Sequence, residues 1–145
     1  MTFTAPPLVP VPGYPRCWET LADLTWHDML HGAITVKAGA RTDGASIPRL
    51  LWSLVGAPLS DSRVLPAAII HDQLYCTCGL NGELSREDCD AIFHRALVAA
   101  GCPQLRAWLY WTGVRSGGWL GWRRYKRNPE AVAYDLQFIT RQSDG

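Results

Sequence analysis

Ala67-Ala68-Ile69-Ile70-His71-Asp72-Gln73-Leu74-Tyr75 sets an apolar run directly against three polar side chains. An imidazole or a carboxylate buried without a partner is costly. These groups therefore either satisfy one another or do chemistry. The stretch reads as a helix from about Ser62 to Cys76 or Thr77, which Gly79, Asn81 and Gly82 then break. A second helix starts at Ser85, where Ser85-Arg86-Glu87-Asp88 has the form of a capping box. Its apolar members, Cys89, Ile92, Phe93, Ala96, Leu97 and Ala100, keep the spacing of one helical face. A short loop makes the two helices antiparallel neighbours. His71 lies about six residues before the turn and Asp90 about five after it, so at ~1.5 Å rise per residue they are level to within roughly 2 Å. Tyr75, one turn after His71, shares its face and can reach the same carboxylate. Asp72 points ~100° away and must serve something else.

The rest of the chain is read outward from this pair. Residues 1–16 are proline-rich and expected to form an extended arm, with residues 17–145 as one domain. Strand character runs from Cys17 to Trp26 and from Ala33 to Ala38, with a turn at His31-Gly32. Thr42 to Ser46 reads as a loop, with Ser46 capping a short helix that has Pro48 in its first turn. A third helix is predicted from Pro103 to about Ser116, ended by Gly117-Gly118. Val132, Tyr134, Leu136 and Phe138 alternate, which predicts a strand returning to the N-terminal sheet. The fold class that follows is α+β: a small antiparallel sheet packed on an antiparallel helix pair, plus a third helix.

Composition narrows the function. A chain of 145 residues with 48% hydrophobic content is long enough for a real core. A net charge of +1 argues against a dedicated nucleic-acid binder, so no nucleic-acid partner is expected. No apolar run approaches the ~20 residues of a membrane span, and the N-terminus lacks the pattern of a signal peptide. Synthesis in a cytoplasm is the expectation. Five cysteines, an odd number without a secretion signal, argue against a disulfide framework, and Cys76-x-Cys78 is tight for a zinc pair. Between Trp119 and Arg127, aromatic and basic residues interleave, which suits either core tryptophans beside a solvated face or a membrane-interface surface.

His71-Asp72-x-x-Tyr75 followed by Asp90-x-x-Phe93 resembles the paired catalytic helices of secreted, bacterial and parvoviral phospholipases A2. The resemblance covers the helix pair alone. It implies that His71 is the general base, that Asp72 binds calcium, and that Tyr75 and Asp90 hold the histidine. A broader resemblance spans most of the chain. Thr42-Asp43-Gly44-Ala45-Ser46-Ile47-Pro48-Arg49, Trp52, the stretch from Ala68 to Tyr75, Ser85-Arg86 and Asp90-Ala91-Ile92-Phe93 are similar to a tailed-phage family known as domain of unknown function 1353. This implies a phage or prophage gene, with other virion proteins as partners and the host cytoplasm as the place of synthesis.

Phospholipid hydrolysis needs a base near neutral pH, an acceptor that fixes its tautomer, and an electrophile for the oxyanion. His71, Asp90 and calcium on Asp72 would fill these roles. Calcium prefers six to eight oxygens, so Asp72 needs company, for which Asp43 is the candidate. The stretch Trp52-Ser53-Leu54-Val55-Gly56-Ala57-Pro58, which corresponds to the enzymes' glycine-rich calcium loop, carries one glycine. Three functions fit these residues. One is a calcium-dependent phospholipid hydrolase acting at the host membrane during entry or lysis, with His71, Asp90 and Tyr75 catalytic and Asp72 and Asp43 on the metal. The alternative is a non-enzymatic virion (tail) or lysis accessory protein, in which His71, Tyr75 and Asp90 form a structural network. The third is a metal-dependent cell-wall hydrolase using Asp43, His71 and Asp72, to which His27, His31 and His94 lend little.

Overall fold

Helix α1 (Leu65–Cys76) runs through the middle of the protein, and every residue from Pro66 to Tyr75 is buried. The computed structural model describes residues 3–14, 17–42 and 61–143. A helix covered on one side shows an apolar stripe, whereas one covered all round is apolar all round. The second pattern holds for Pro66 to Ile70, and it explains why the polar side chains that follow must each find a partner. On one side α1 meets strands, where Leu24, Ile34, Val36 and Ile139 pack against Ile69, Ile70 and Leu74. On the other it meets helices, where Ala67 and Ala68 pack with Phe93, Ala96, Leu97, Ala107, Tyr110 and Val114.

Among the described residues, the strands form two three-stranded antiparallel sheets. The first joins β1 (Leu8–Pro10), β2 (Trp18–Thr20) and β5 (Arg41–Thr42) in the order β1-β2-β5. The second joins β3 (Leu24–Asp28), β4 (Gly32–Val36) and β6 (Ile139–Gln142) in the order β3-β4-β6. In β4, Ile34 and Val36 are buried and alternate with half-exposed Ala33 and Thr35, the period of a half-buried strand. The continuous strand predicted from Cys17 to Trp26 is instead split at Leu21–Asp23, so that its halves join different sheets. Within the proline-rich stretch, Leu8–Pro10 is paired with β2, and Phe3 lies with its ring 5.0 Å from that of Trp26.

Helix α2 (Arg86–Ala99) starts at Ser85, whose hydroxyl accepts from the Asp88 amide while the Asp88 carboxylate accepts from the Ser85 amide. Helix α3 (Gln104–Gly117) follows, and Gly118 alone separates it from α4 (Trp119–Lys126). A second helix thus begins directly where the sequence predicted only an end.

The C-terminal strand predicted across Val132, Tyr134, Leu136 and Phe138 is corrected by the structure. That stretch is helix α5 (Pro129–Asp135) and a 3-10 turn (Leu136–Phe138). Asn128 caps α5 by accepting from the Ala131 amide at 3.2 Å, Pro129 stands at its first turn and Glu130 follows. Those start signals outweigh the alternation. The returning strand exists one step later, as β6 on β4. The predicted cap at Ser46 and helix at Pro48 lie outside the described residues.

Candidate functional site

Three consecutive polar residues of α1 point in different directions because each step turns ~100°. His71 faces α2, where its Nε2 lies 2.8 Å from Asp90 Oδ1. Asp72 accepts a hydrogen bond from the Thr42 hydroxyl of β5. Gln73 donates from Nε2 to the Arg41 carbonyl of the same strand at 2.6 Å. One turn on from His71, the Tyr75 hydroxyl donates to Asp90 Oδ1 at 2.6 Å. The side chains of His71, Tyr75 and Asp90 therefore meet as the helix spacing predicted, and Asp72 points elsewhere as predicted.

The second oxygen of Asp90 is also taken. Arg115 of α3 donates from Nη1 to Oδ2 at 2.8 Å, and Arg86 approaches the same oxygen at 3.5 Å. Arg86 also reaches the Val114 carbonyl at 3.0 Å and the Arg115 carbonyl at 3.3 Å, so it clasps the end of α3. Asp90 is thus gripped from three helices: His71 and Tyr75 on α1, Arg86 on its own α2, and Arg115 on α3. Asp90 is 0% exposed, and His71 and Tyr75 are each 1% exposed. The His71 ring lies between those of Tyr75 and Phe93, with centroids 4.3 and 4.6 Å away.

Burial alone would raise the Asp90 carboxyl, but the hydrogen bond and charge of His71, with bonds from Tyr75 and Arg115, hold it below the usual carboxylate range. An ionised carboxylate only accepts, so His71 Nε2 carries the proton between them. Burial, followed by the adjacent Asp90 charge, pushes the Tyr75 hydroxyl well up, which keeps it a donor. Gly118 closes the assembly from the junction of α3 and α4. A Cβ there would stand 2.6 Å from the Tyr75 hydroxyl and 2.4 Å from the Val114 carbonyl.

Sequence reasoning missed both arginines. Arg86 is four residues before Asp90, a helical ion-pair spacing that was open to reading. Arg115 comes from another helix and leaves no local signal. Another buried carboxylate, besides Asp72 and Asp90, was missed too. Asp28 receives a two-pronged contact from Arg95, at 2.9 and 3.0 Å, along with the Trp26 indole and the amides of Leu30 and His31. It fastens the β3–β4 hairpin to α2.

The calcium expectation rested on Asp72 and Asp43. Asp43 lies outside the described residues. Among the described residues, no group of three or more His, Cys, Asp or Glu side chains is gathered for a metal. Burial pushes the thiols of Cys78 and Cys89 up. Among the described residues, no helix is long and apolar enough to cross a membrane.

Residues 18–114 match the family model "Protein of unknown function (DUF1353)". The chain belongs to the DUF1353 family. The matched segment runs from β2 into α3 and includes His71, Tyr75, Arg86 and Asp90, with Arg115 one residue beyond it. The DUF1353 domain is 32% identical over 101 residues to an uncharacterized protein, y4jT, of Sinorhizobium fredii (strain NBRC 101917 / NGR234), covering 69% of this chain and 29% of that one. It is 31% identical over 111 residues to another, y4iH, of the same organism, covering 77% of this chain and 44% of that one. The chain therefore spans less than half the length of either relative. No solved structure matches it.

Proposed function

We propose that the domain is a non-enzymatic accessory module, and that His71, Tyr75, Asp90, Arg86 and Arg115 form the lock that fixes its three principal helices. One observation carries this reading. Both oxygens of a fully buried carboxylate are occupied, by side chains from three helices. A network satisfied in this way specifies a packing arrangement. A general base must present its imidazole to water and substrate, and His71 is buried between two aromatic rings. The matched stretches of longer relatives suit a module carried within larger proteins. For the biological setting we propose a virion or lysis accessory component, on the strength of the resemblance to a tailed-phage family.

A double-mutant cycle tests the lock. Tyr75→Phe and Arg115→Gln should each destabilise by about 1–2 kcal/mol. Because both act on one carboxylate, their effects should fail to add by about 0.5 kcal/mol or more in denaturant melts. Simple additivity, with small single effects, would mean that Asp90 needs no such grip. Mass spectrometry of purified particles separates the two settings, since a virion component must be found in them and a lysis component need not be.

A second reading keeps one observation in its favour. His71 Nε2 on Asp90, with Tyr75 on the same oxygen, is the arrangement that the phospholipase A2 resemblance implies. It leaves Nδ1 as the nitrogen for chemistry, with calcium expected on Asp72 and Asp43. Under this reading, calorimetry at millimolar calcium should register uptake that Asp72→Asn weakens. Mixed phospholipid vesicles should release fatty acid only with calcium, and His71→Ala should abolish that release in a folded protein. Absence of both effects leaves the lock as the function of these residues.

A further inference from the structure

Helix α4 is amphipathic in an unusual sense. At ~100° per residue its sequence divides into two arcs. Trp122 and Tyr125 point inward against the core, and Trp122 meets Tyr75 edge-on at 5.2 Å. The other arc is exposed and runs, in angular order, through Lys126, Trp119, Arg123, Arg127, Leu120 and Arg124. Four cations there interleave with two apolar side chains, Trp119 at 43% and Leu120 at 61% exposure. The Arg123 guanidinium sits 5.7 Å from the Trp119 ring centroid, so charge and aromatic surface form one patch.

The charge here is segregated from the rest of the protein. Residues 91–129 contain seven Lys and Arg and no Asp or Glu, although the whole chain carries only +1. Three of those seven, Arg95, Arg106 and Arg115, are committed to Asp28, Asp61 and Asp90. The other four are the exposed cations of α4 and its cap, and no carboxylate among the described residues pairs with them.

We infer that this face of α4 docks peripherally on an anionic phospholipid surface. Such a surface offers phosphates to the four cations and an acyl boundary to Trp119 and Leu120 at the same depth. A nucleic acid would satisfy the cations alone and leave Leu120 in water. An eight-residue helix presents too little apolar surface to anchor irreversibly, so the attachment is reversible and depends on salt. The inference goes beyond the lock and does not rest on it: α4's outer residues take no part in holding Asp90.

Sedimentation of the full chain with vesicles tests this. Vesicles of phosphatidylcholine with phosphatidylglycerol should bind it at low salt, and phosphatidylcholine alone should not. The R123E/R124E variant should lose at least tenfold in affinity, since each basic residue contributes roughly fivefold, while its melting temperature stays close to that of the parent. Trp119 should be quenched by brominated acyl chains, seen as the quenching that Trp119→Phe removes. This second readout holds even if the charge-reversal variant fails to fold. Undiminished binding by folded R123E/R124E, or no preference for anionic vesicles, overturns the inference. So does displacement by millimolar inorganic phosphate, which indicates a discrete phosphate site, or binding to RNA without binding to vesicles.

Discussion

At the scale of single residues, Asp90 has more invested in it than its neighbours. Its charge is buried among one imidazole, one phenol and two guanidinium groups. Removing one member of a buried charged cluster is costly chiefly because the others are left without a counter-charge. Asp90→Ala should therefore destabilise by about 3–5 kcal/mol, read from urea or thermal melts. Asp90→Asn keeps the shape but loses the charge, and should fall between Asp90→Ala and the parent. A melting temperature indifferent to both changes would mean that the aspartate is idle. The pairing of His71 with Asp90 was legible in the sequence because it crosses one short turn, where rise per residue is a reliable ruler. The bond from Thr42 to Asp72 was not, because the two residues are 30 positions apart and no local pattern links them.

At the scale of elements, the turn between α1 and α2 shows how local chemistry places the pair. From Cys78 to Gly82 the backbone is left-handed, with φ of 50° at Cys78, 56° at Leu80 and 58° at Asn81. Each non-glycine residue there costs roughly 1–2 kcal/mol. The surroundings hold it: the Leu84 amide donates to the Gly79 carbonyl at 2.9 Å, and Leu80 and Leu84 are buried in the core. Gly79 is required twice over, by its φ of 67° and because a Cβ would stand 1.9 Å from the Leu84 carbonyl oxygen. Gly79→Ala should cost about 3 kcal/mol or more, since backbone must move to admit it. Gly82→Ala, with nothing within 4 Å of the added carbon, should cost on the order of 1 kcal/mol for its φ alone. Equal melting temperatures for the two variants would show that the close approach at Gly79 is readily relaxed. The sequence marked this turn through its glycines and marked α2 through its capping box, both of which are local signals. It failed where two local signals competed, as in Asn128-Pro129-Glu130 against the alternation after it. It failed again where sheet membership is decided by tertiary pairing, as at Leu21–Asp23.

At the scale of the molecule, two buried carboxylates paired with arginines tie the layers together. Asp28 joins the β3–β4 hairpin to α2 through Arg95, and Asp90 joins α1, α2 and α3. Burial alone would raise the Asp28 carboxyl as it would that of Asp90, but the Arg95 guanidinium, the Trp26 indole and the Leu30 amide hold it below the usual range. A carboxyl whose folded pKa lies below its unfolded value of about 3.9 adds stability above that value. That contribution declines as pH falls through the folded pKa. Stability should therefore be nearly level from neutral pH down to about 5 and drop steeply below, as both carboxylates take up protons and release their arginines. The variant Asp28→Asn/Asp90→Asn removes both titrations. It should be less stable than the parent at pH 7, yet its urea midpoint should change less with pH between about 5 and 3. Parallel acid limbs for the two proteins would place the acid sensitivity in other carboxylates, such as buried Asp72 or the half-buried Asp88 and Asp61, and would leave Asp28 and Asp90 without a share in it.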